Sequence, residues 1–142
     1  MRKALAMAAA LVVLAGSSSH ADWKTVVHLS TLPVIEGAGI YSAARMLSVT
    51  DDSYSKTTAI VSLAALGTQA TLGIFKLVGL RGKLANPEAL TRAHRLVAYA
   101  VAVSAVAMSI AAATDKDVSD TDKGIAYAYN GVTFAPLILF EF

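Results

Sequence analysis

The chain has 142 residues, of which 56% are hydrophobic and only 15% are charged. A typical soluble domain is about 45–50% apolar and about 25% charged, so this composition excludes a disordered or fibrous chain and favours a membrane protein. The sequence contains no cysteine, which excludes disulfides, zinc–thiolate sites, iron–sulfur clusters and thiol nucleophiles.

The N-terminus has the pattern of an export signal. Arg2 and Lys3 are followed by a stretch of thirteen residues without charge or strong turn formers, Ala4 to Gly16, and Ser19 and Ala21 match the small-residue pattern that precedes a cleavage site. Thirteen helical residues reach only about 20 Å, short of the ~30 Å hydrocarbon core of a bilayer. The sequence therefore predicts a cleavable signal peptide over residues 1–21, with an uncleaved anchor helix as the alternative.

The predicted mature protein, residues 22–142, is a single helical membrane domain. Loss of Arg2 and Lys3 lowers its formal net charge from +2 to zero, so no case for nucleic-acid binding remains. Three uncharged runs have nineteen, nineteen and seventeen residues, close to the length of a spanning helix, and cover residues 57–75, 96–114 and 124–140.

A fourth segment, residues 25–50, is a weaker candidate because Glu36 and Arg45 interrupt it. Asn86 before Pro87 gives a capping residue and a proline at the first helical position of the third main helix. We therefore expect an all-α transmembrane bundle of three to four hydrophobic helices, at about residues 30–49, 56–80, 87–113 and 122–140.

The charges of the connections predict an orientation in the bacterial inner membrane. The connection at residues 81–95 is basic, whereas those at 51–56 and 115–123 are acidic on balance. The positive-inside rule places the basic loop in the cytoplasm and the acidic loops in the periplasm. An exported N-terminus then leaves both ends of segment 25–50 outside, as a helix in the membrane interface. Four spans are the alternative, with the basic loop outside.

His28 and His94 are the only histidines after the predicted cleavage site. In an up-down bundle the starts of the first and third helices lie at one end, where two imidazoles can ligate one haem b iron. Gly37, Gly39, Ala43 and Ala44, with Ala98 and Ala102, would provide room for the macrocycle. The arrangement loosely resembles small membrane b-type cytochromes, although no motif links the two histidines. The other interpretation is that both are polar residues at the membrane boundary.

Three further polar residues lie inside hydrophobic segments. Glu36 and Arg45 are nine residues apart and face opposite sides of a helix, so each needs water or a partner on another helix. Gln69, with neighbouring threonines, gives the second main helix a polar centre. For Glu36 and Arg45 the favoured interpretation is that both face water from an interfacial helix, and for Gln69 it is helix packing. A third possibility is the polar path of a small transporter or channel, with Glu36 and Gln69 at its centre.

Catalytic motifs for hydrolases, metalloproteases, phosphate loops and dinucleotide folds are absent from the sequence. An enzyme is therefore not expected, and no catalytic or metal-binding residue is predicted. The expected role is that of a non-enzymatic subunit or accessory protein in the lipid bilayer, packing with partner membrane proteins or with copies of itself. A haem-carrying electron-transfer subunit is the alternative.

Overall fold

The computed structural model describes the backbone of residues 23–77 and 87–141, and the side chains of residues 31–76 and 88–134. The predicted signal peptide lies outside these ranges. So do residues 78–86, which include the first six residues of the predicted basic loop, and the side chains of Trp23 and His28. Within the described residues the fold consists of helices joined by short turns, without strands. The all-α class expected from the sequence is therefore confirmed.

Four helices make up this part of the chain: α1 (Trp23–Val49), α2 (Ser53–Leu77), α3 (Pro87–Thr114) and α4 (Asp120–Glu141). The weak segment 25–50 is one continuous helix, which begins earlier than residue 30 and contains Pro33. A proline inside a helix removes one backbone hydrogen bond, and membrane helices tolerate this loss when neighbouring helices pack around them.

Side-chain caps fix the starts of the two helices that follow the short turns. The Asp52 carboxylate accepts the backbone N–H of Ser55 at 2.7 Å, which caps α2. At the start of α4, Ser119 Oγ accepts the backbone N–H of Asp122 at 3.2 Å and donates to the Asp122 carboxylate at 2.8 Å. Ser119 therefore caps α4.

The helices form an up-down bundle in which each helix packs against two neighbours. Helices α1 and α3 lie diagonally opposite each other, and both pack against α2 and α4. The turns at residues 50–52 and 115–119 lie at one end, here called the loop end. The start of α3 and the end of α2 lie at the opposite end, here called the basic end because Lys76, Arg92 and Arg95 are there.

The interior of the bundle is built from small and polar side chains. Half of its buried hydrophobic residues are alanines, and the larger members include Met46, Leu66, Met108 and Tyr129. The buried polar residues along the helices include Ser42, Ser62, Gln69, Ser104, Ser109 and Thr133. Small side chains let the helix backbones approach closely, and hydroxyl and amide groups hydrogen-bond across the interfaces.

The outer surface carries the large aliphatic side chains. Val103 is 70% exposed, Leu96 62% and Ile60 58%. Two helices, over Ser53–Lys76 and Glu88–Thr114, are long and apolar enough to cross a membrane. In the most apolar 18-residue stretch of each helix, only 28% and 44%, respectively, is buried in the bundle. The apolar residues of α2 and α3 therefore lie mainly on the outside.

Candidate functional site

A part-buried pair of polar side chains, Gln69 with His94, joins α2 to α3 nearer the basic end than the loop end. Gln69 on α2 is only 8% exposed, and its Nε2 lies 3.2 Å from Nε2 of His94 on α3. Among the described residues, Gln69 Oε1 has no hydrogen-bond partner. As placed, the amide nitrogen donates and the imidazole accepts, which requires a neutral His94 with its proton on Nδ1. Rotating the amide would let His94 donate instead.

Gly73 lies one turn beyond Gln69 and leaves space beside the imidazole. A Cβ atom at Gly73 would lie 3.7 Å from His94 Nε2, an ordinary van der Waals distance. An alanine side chain would therefore fit at this position, in contact with the imidazole. The sequence analysis named both Gln69 and His94, but it assigned them to different roles and did not predict this contact.

The two histidines lie at similar depths in the bundle. His28 precedes Thr50 by 22 residues and His94 precedes Asp115 by 21 residues. With a rise of 1.5 Å per residue, both lie about 32 Å from the loop end, on two helices that run in the same direction. The side chain of His28 lies outside the described residues, so the structure shows only that the two histidines lie at a similar depth along the bundle.

The small residues that would admit a haem do not line one slot. Gly37 and Ala44 face outwards, whereas Ala43 and Ala102 are buried in the core. Gly39 packs tightly, because a Cβ atom there would lie 2.7 Å from both Leu66 Cδ1 and Tyr129 Cε2. The space at Gly39 is therefore filled by protein. Sequence spacing could not show this, because the residues that fill it come from α2 and α4.

Arg45 on α1 pairs with Asp122 on α4, which provides the partner that a charge inside a hydrophobic segment requires. Its Nη2 lies 3.0 Å from Asp122 Oδ2 and its Nε donates to Asp122 Oδ1 at 3.2 Å, which makes a two-point contact between α1 and α4. The Tyr41 hydroxyl donates to the same carboxylate at 3.4 Å. Hydrogen bonding from Arg45 is the main cause that lowers the pKa of Asp122, followed by hydrogen bonding from Ser119.

A second carboxylate links the two turns at the loop end. The Thr50 hydroxyl donates to Asp115 Oδ2, and the backbone N–H of Asp117 donates to Asp115 Oδ1 at 2.9 Å. The hydrogen bond from Thr50 is the main cause that lowers the pKa of Asp115. Asp115 in the acidic connection thus joins the two turns through hydrogen bonds. No group of three or more metal-ligating side chains suited to an ion occurs among the residues that the structure describes.

Glu36 and Gln69, the polar centre considered for transport, lie on adjacent helices. The Glu36 side chain is partly exposed, whereas Gln69 is buried. Helix α2 also carries a shallow outer groove of about 570 Å³, lined by Leu63, Ala64, Gly67, Thr68, Thr71 and Leu72. The hydroxyls of Thr68 and Thr71 donate to the carbonyls of Ala64 and Gly67, both at 2.8 Å, so their hydrogen bonds are satisfied within the helix.

Comparison with known proteins gives no relative to which this chain can be assigned. No family model, no curated protein and no solved structure matches it. The class defined by the structure is a helical bundle with two helices that are long and apolar enough to span a membrane. Function has to be argued from the residues themselves.

Proposed function

We propose that this chain is a small, non-enzymatic integral membrane protein of the bacterial cell envelope that packs against a partner membrane protein. The observation that carries the proposal is the distribution of polarity in the bundle. Ser62 and Gln69 are buried, whereas Val103 and Leu96 are among the most exposed hydrophobic side chains. A bundle dissolved in water has the opposite distribution.

Lipid explains this distribution because it removes the cost of exposing aliphatic groups. In water each Å² of exposed apolar surface costs about 25 cal/mol, and contiguous apolar patches drive association. In a bilayer that cost disappears, and helices associate through small residues and interhelical hydrogen bonds. The Ser109 hydroxyl, which donates to the α4 carbonyl of Ala126 at 3.1 Å, is one such hydrogen bond.

The groove on α2 supports the partner part of the proposal. The alanine stripe of α3 is used inside the bundle, where Ala102, Ala105 and Ala112 are buried. The exposed small residues of the α2 groove include Gly67 and Thr71, at the one-turn spacing that lets another helix approach closely. We assign this groove to one transmembrane helix of a partner subunit.

The proposed orientation places the basic loop, residues 81–95, in the cytoplasm and the turns at 51–56 and 115–123 in the periplasm. If α1 crosses the membrane with α2 and α3, Trp23 lies on the same side as Pro87, because α1 and α3 are parallel. A cytoplasmic basic loop then requires that Trp23 is also cytoplasmic. This orientation and cleavage of a signal peptide after Ala21 exclude each other.

Cysteine accessibility tests both membrane insertion and orientation, since the native chain has no thiol. Single cysteines at Ser53, Ala85 and Ser119, with Thr25 for the start of α1, are labelled in intact cells by a membrane-impermeant reagent. We expect labelling at Ser53 and Ser119 only, and retention of the protein in membranes after alkaline washing. Labelling at Ala85 and not at Ser53 would reverse the orientation, and release without detergent would disprove membrane integration.

The partner assignment is tested with two glycines that both face outwards. Gly67→Leu fills the α2 groove, whereas Gly37→Leu changes the exposed face of α1, and at either position a Cβ atom would have no neighbour within 4 Å. We expect the complex isolated in mild detergent to be lost with Gly67→Leu and kept with Gly37→Leu. Equal behaviour of the two variants, or a complex containing only copies of this chain, would contradict docking of a partner helix.

A haem-carrying electron-transfer subunit is the second candidate. The favourable observation is the common depth of His28 and His94 on parallel helices. Haem binding would require His94 to exchange its contact with Gln69 for the iron. Protein purified from haem-sufficient cells should then show a Soret band that His94→Ala abolishes and Gln69→Leu retains. A colourless wild-type protein would dismiss this candidate.

Transport is a third prediction, based on Glu36 and Gln69. Their position on adjacent helices would give a polar route beside the α1–α2 interface. Ion flux through liposomes containing the purified protein should fall with Glu36→Gln if the route is used. Unchanged flux would remove Glu36 from the proposal.

A further inference from the structure

The exposed face of α3 carries three kinds of side chain in a fixed order along the helix axis. Its members recur every three or four residues, which keeps them on one face. Two cations come first, Leu96 and Tyr99 follow, and the remaining aliphatic residues come last. The whole face is here called the α3 stripe and comprises Arg92, Arg95, Leu96, Tyr99, Val103, Val106 and Ile110.

This order matches the layers of one leaflet of a bilayer. Guanidinium groups bind phosphate through paired N–H donors, and tyrosine favours the boundary between headgroups and hydrocarbon. The distance from Tyr99 to Ile110 is about 16 Å along the helix, close to half of the ~30 Å hydrocarbon core. The aliphatic part of the stripe therefore has the length of one acyl layer.

The charge at the basic end favours an anionic lipid. Lys76, in the last turn of α2, adds a third cation near the level of Arg92, and Glu88 is the acidic residue in the first turn of α3. The opposite end of the bundle carries the aspartates of the two turns. A basic cluster next to a spanning helix attracts anionic headgroups with about 1 kcal/mol per cation.

We propose that the α3 stripe binds one anionic phospholipid, with its phosphate at Arg92 and Arg95 and an acyl chain along Leu96, Val103 and Val106. This inference rests on the proposed membrane location and adds the class of lipid that the protein selects. A free phosphate compound would use only the cationic part of the stripe. The continuous apolar part is therefore the reason to assign the ligand to a lipid.

The test uses the full chain in neutral detergent micelles, titrated with phosphatidylglycerol and, separately, with phosphatidylcholine. Bound lipid is counted by native mass spectrometry, and the unfolding temperature is measured. We expect phosphatidylglycerol to bind and to raise the unfolding temperature, and phosphatidylcholine to do so much less. The double variant Arg92→Gln/Arg95→Gln should bind phosphatidylglycerol about 30-fold more weakly, as expected from the loss of two cations.

The matched control removes two cations from the loop end, in Lys116→Gln/Lys123→Gln, and should bind like the wild type. Glycerol phosphate, which lacks acyl chains, should not raise the unfolding temperature. Equal effects of the two lipids, full binding by the Arg92/Arg95 variant, or an equal effect of glycerol phosphate would overturn the inference. A protein that stays soluble without detergent would instead contradict the membrane location, so the two failures are distinguishable.

Discussion

Helices α1 and α4 contact each other by two different means, one at the loop end and one in the middle of the bundle. At the loop end Arg45 on α1 makes a two-point ion pair with Asp122 on α4. In the middle Gly39 on α1 contacts the ring of Tyr129 on α4, which is completely buried. An ion pair stabilises this interface at the loop end, and close packing stabilises it in the middle of the bundle.

The difference follows from the surroundings of the two parts. In the proposed membrane location the loop end lies next to water or headgroups, where an ion pair avoids most of the cost of desolvation. The middle is surrounded by apolar side chains, where an unpaired charge would be costly and close packing supplies the stabilisation. The same two helices therefore need a charged pair at one level and a glycine at another.

The largest effect is expected from removing the ring at the middle contact. Tyr129→Ala should lower the free energy of unfolding by about 3 kcal/mol or more, because a completely buried aromatic side chain is replaced by a cavity. The measurement is denaturation of the purified protein in micelles by an unfolding detergent. Tyr127→Ala, two residues away and exposed, should change the stability by less than about 0.5 kcal/mol. Similar losses in both variants would contradict the middle contact.

Filling the glycine notch is expected to have the next largest effect. In Gly39→Ala the new Cβ atom would lie 2.8 Å from Tyr129 Cζ, and overpacking of this kind costs about 1–3 kcal/mol. The helix propensity of alanine returns about 1 kcal/mol, so a net loss of about 1 kcal/mol is expected.

Gly37→Ala is the matched control for this substitution, because no atom lies within 4 Å of its Cβ position. It should leave the stability unchanged or raise it by up to about 1 kcal/mol. The cost of Gly39→Ala should become smaller in a Tyr129→Ala background, where the ring is absent and only the contact with Leu66 Cδ1 remains. Independent, additive effects of the two substitutions would show that the glycine does not act through the ring.

The helix cap beside the ion pair should contribute a smaller amount. Ser119→Ala removes the acceptor for the Asp122 backbone N–H and should cost about 1 kcal/mol in thermal unfolding monitored by circular dichroism. Thr121→Ala, on the exposed side of the same turn, should cost less than about 0.5 kcal/mol. An equal cost for both would mean that the cap does not fix the start of α4.

The charged contacts at the loop end should stabilise the protein near neutral pH and lose this effect in acid. The folded-state pKa values of Asp115 and Asp122 lie below the ordinary value of 3.8. Their stabilisation is therefore complete above that value and is lost as the pH falls below it through the folded pKa values.

We expect the unfolding temperature to fall as the pH drops below 4. The double variant Asp115→Asn/Asp122→Asn should start lower at pH 7 and fall less in acid. A wild-type profile that slopes between pH 7 and pH 5 would assign the pH dependence to other groups. A variant that falls as steeply as the wild type would exclude these two carboxylates.

Parts of this fold were predictable because they depend on local sequence. The start of α3 at Pro87 and the presence of helices in the three uncharged runs follow from capping and composition. The inclusion of segment 25–50 as a full member of the bundle was not predictable in this way. Arg45 argued against its insertion, and only the placement of Asp122 on α4 shows how that charge is paired.

The candidate site likewise combines residues that the sequence predicted with contacts that only packing of the helices determines. Sequence reasoning named Gln69 and His94, since polar residues within apolar runs are conspicuous, yet their contact depends on the relative rotation of α2 and α3. It gave Gly39 the role of making room for a cofactor, whereas Tyr129 and Leu66 fill that room. Tyr129 is buried and Tyr127 is exposed, and the sequence around the two tyrosines does not distinguish their environments.

The sequence by itself determined that the chain is helical, that its apolar runs are long enough to span a membrane, and which end of each helix carries charge. These properties depend on neighbours along the chain, through capping, hydrogen bonding within helices and the number of uncharged residues. Only the tertiary structure decided which faces of those helices meet. Partners such as Arg45 with Asp122 are separated by 77 residues, and their contact is selected by the packing of whole helices.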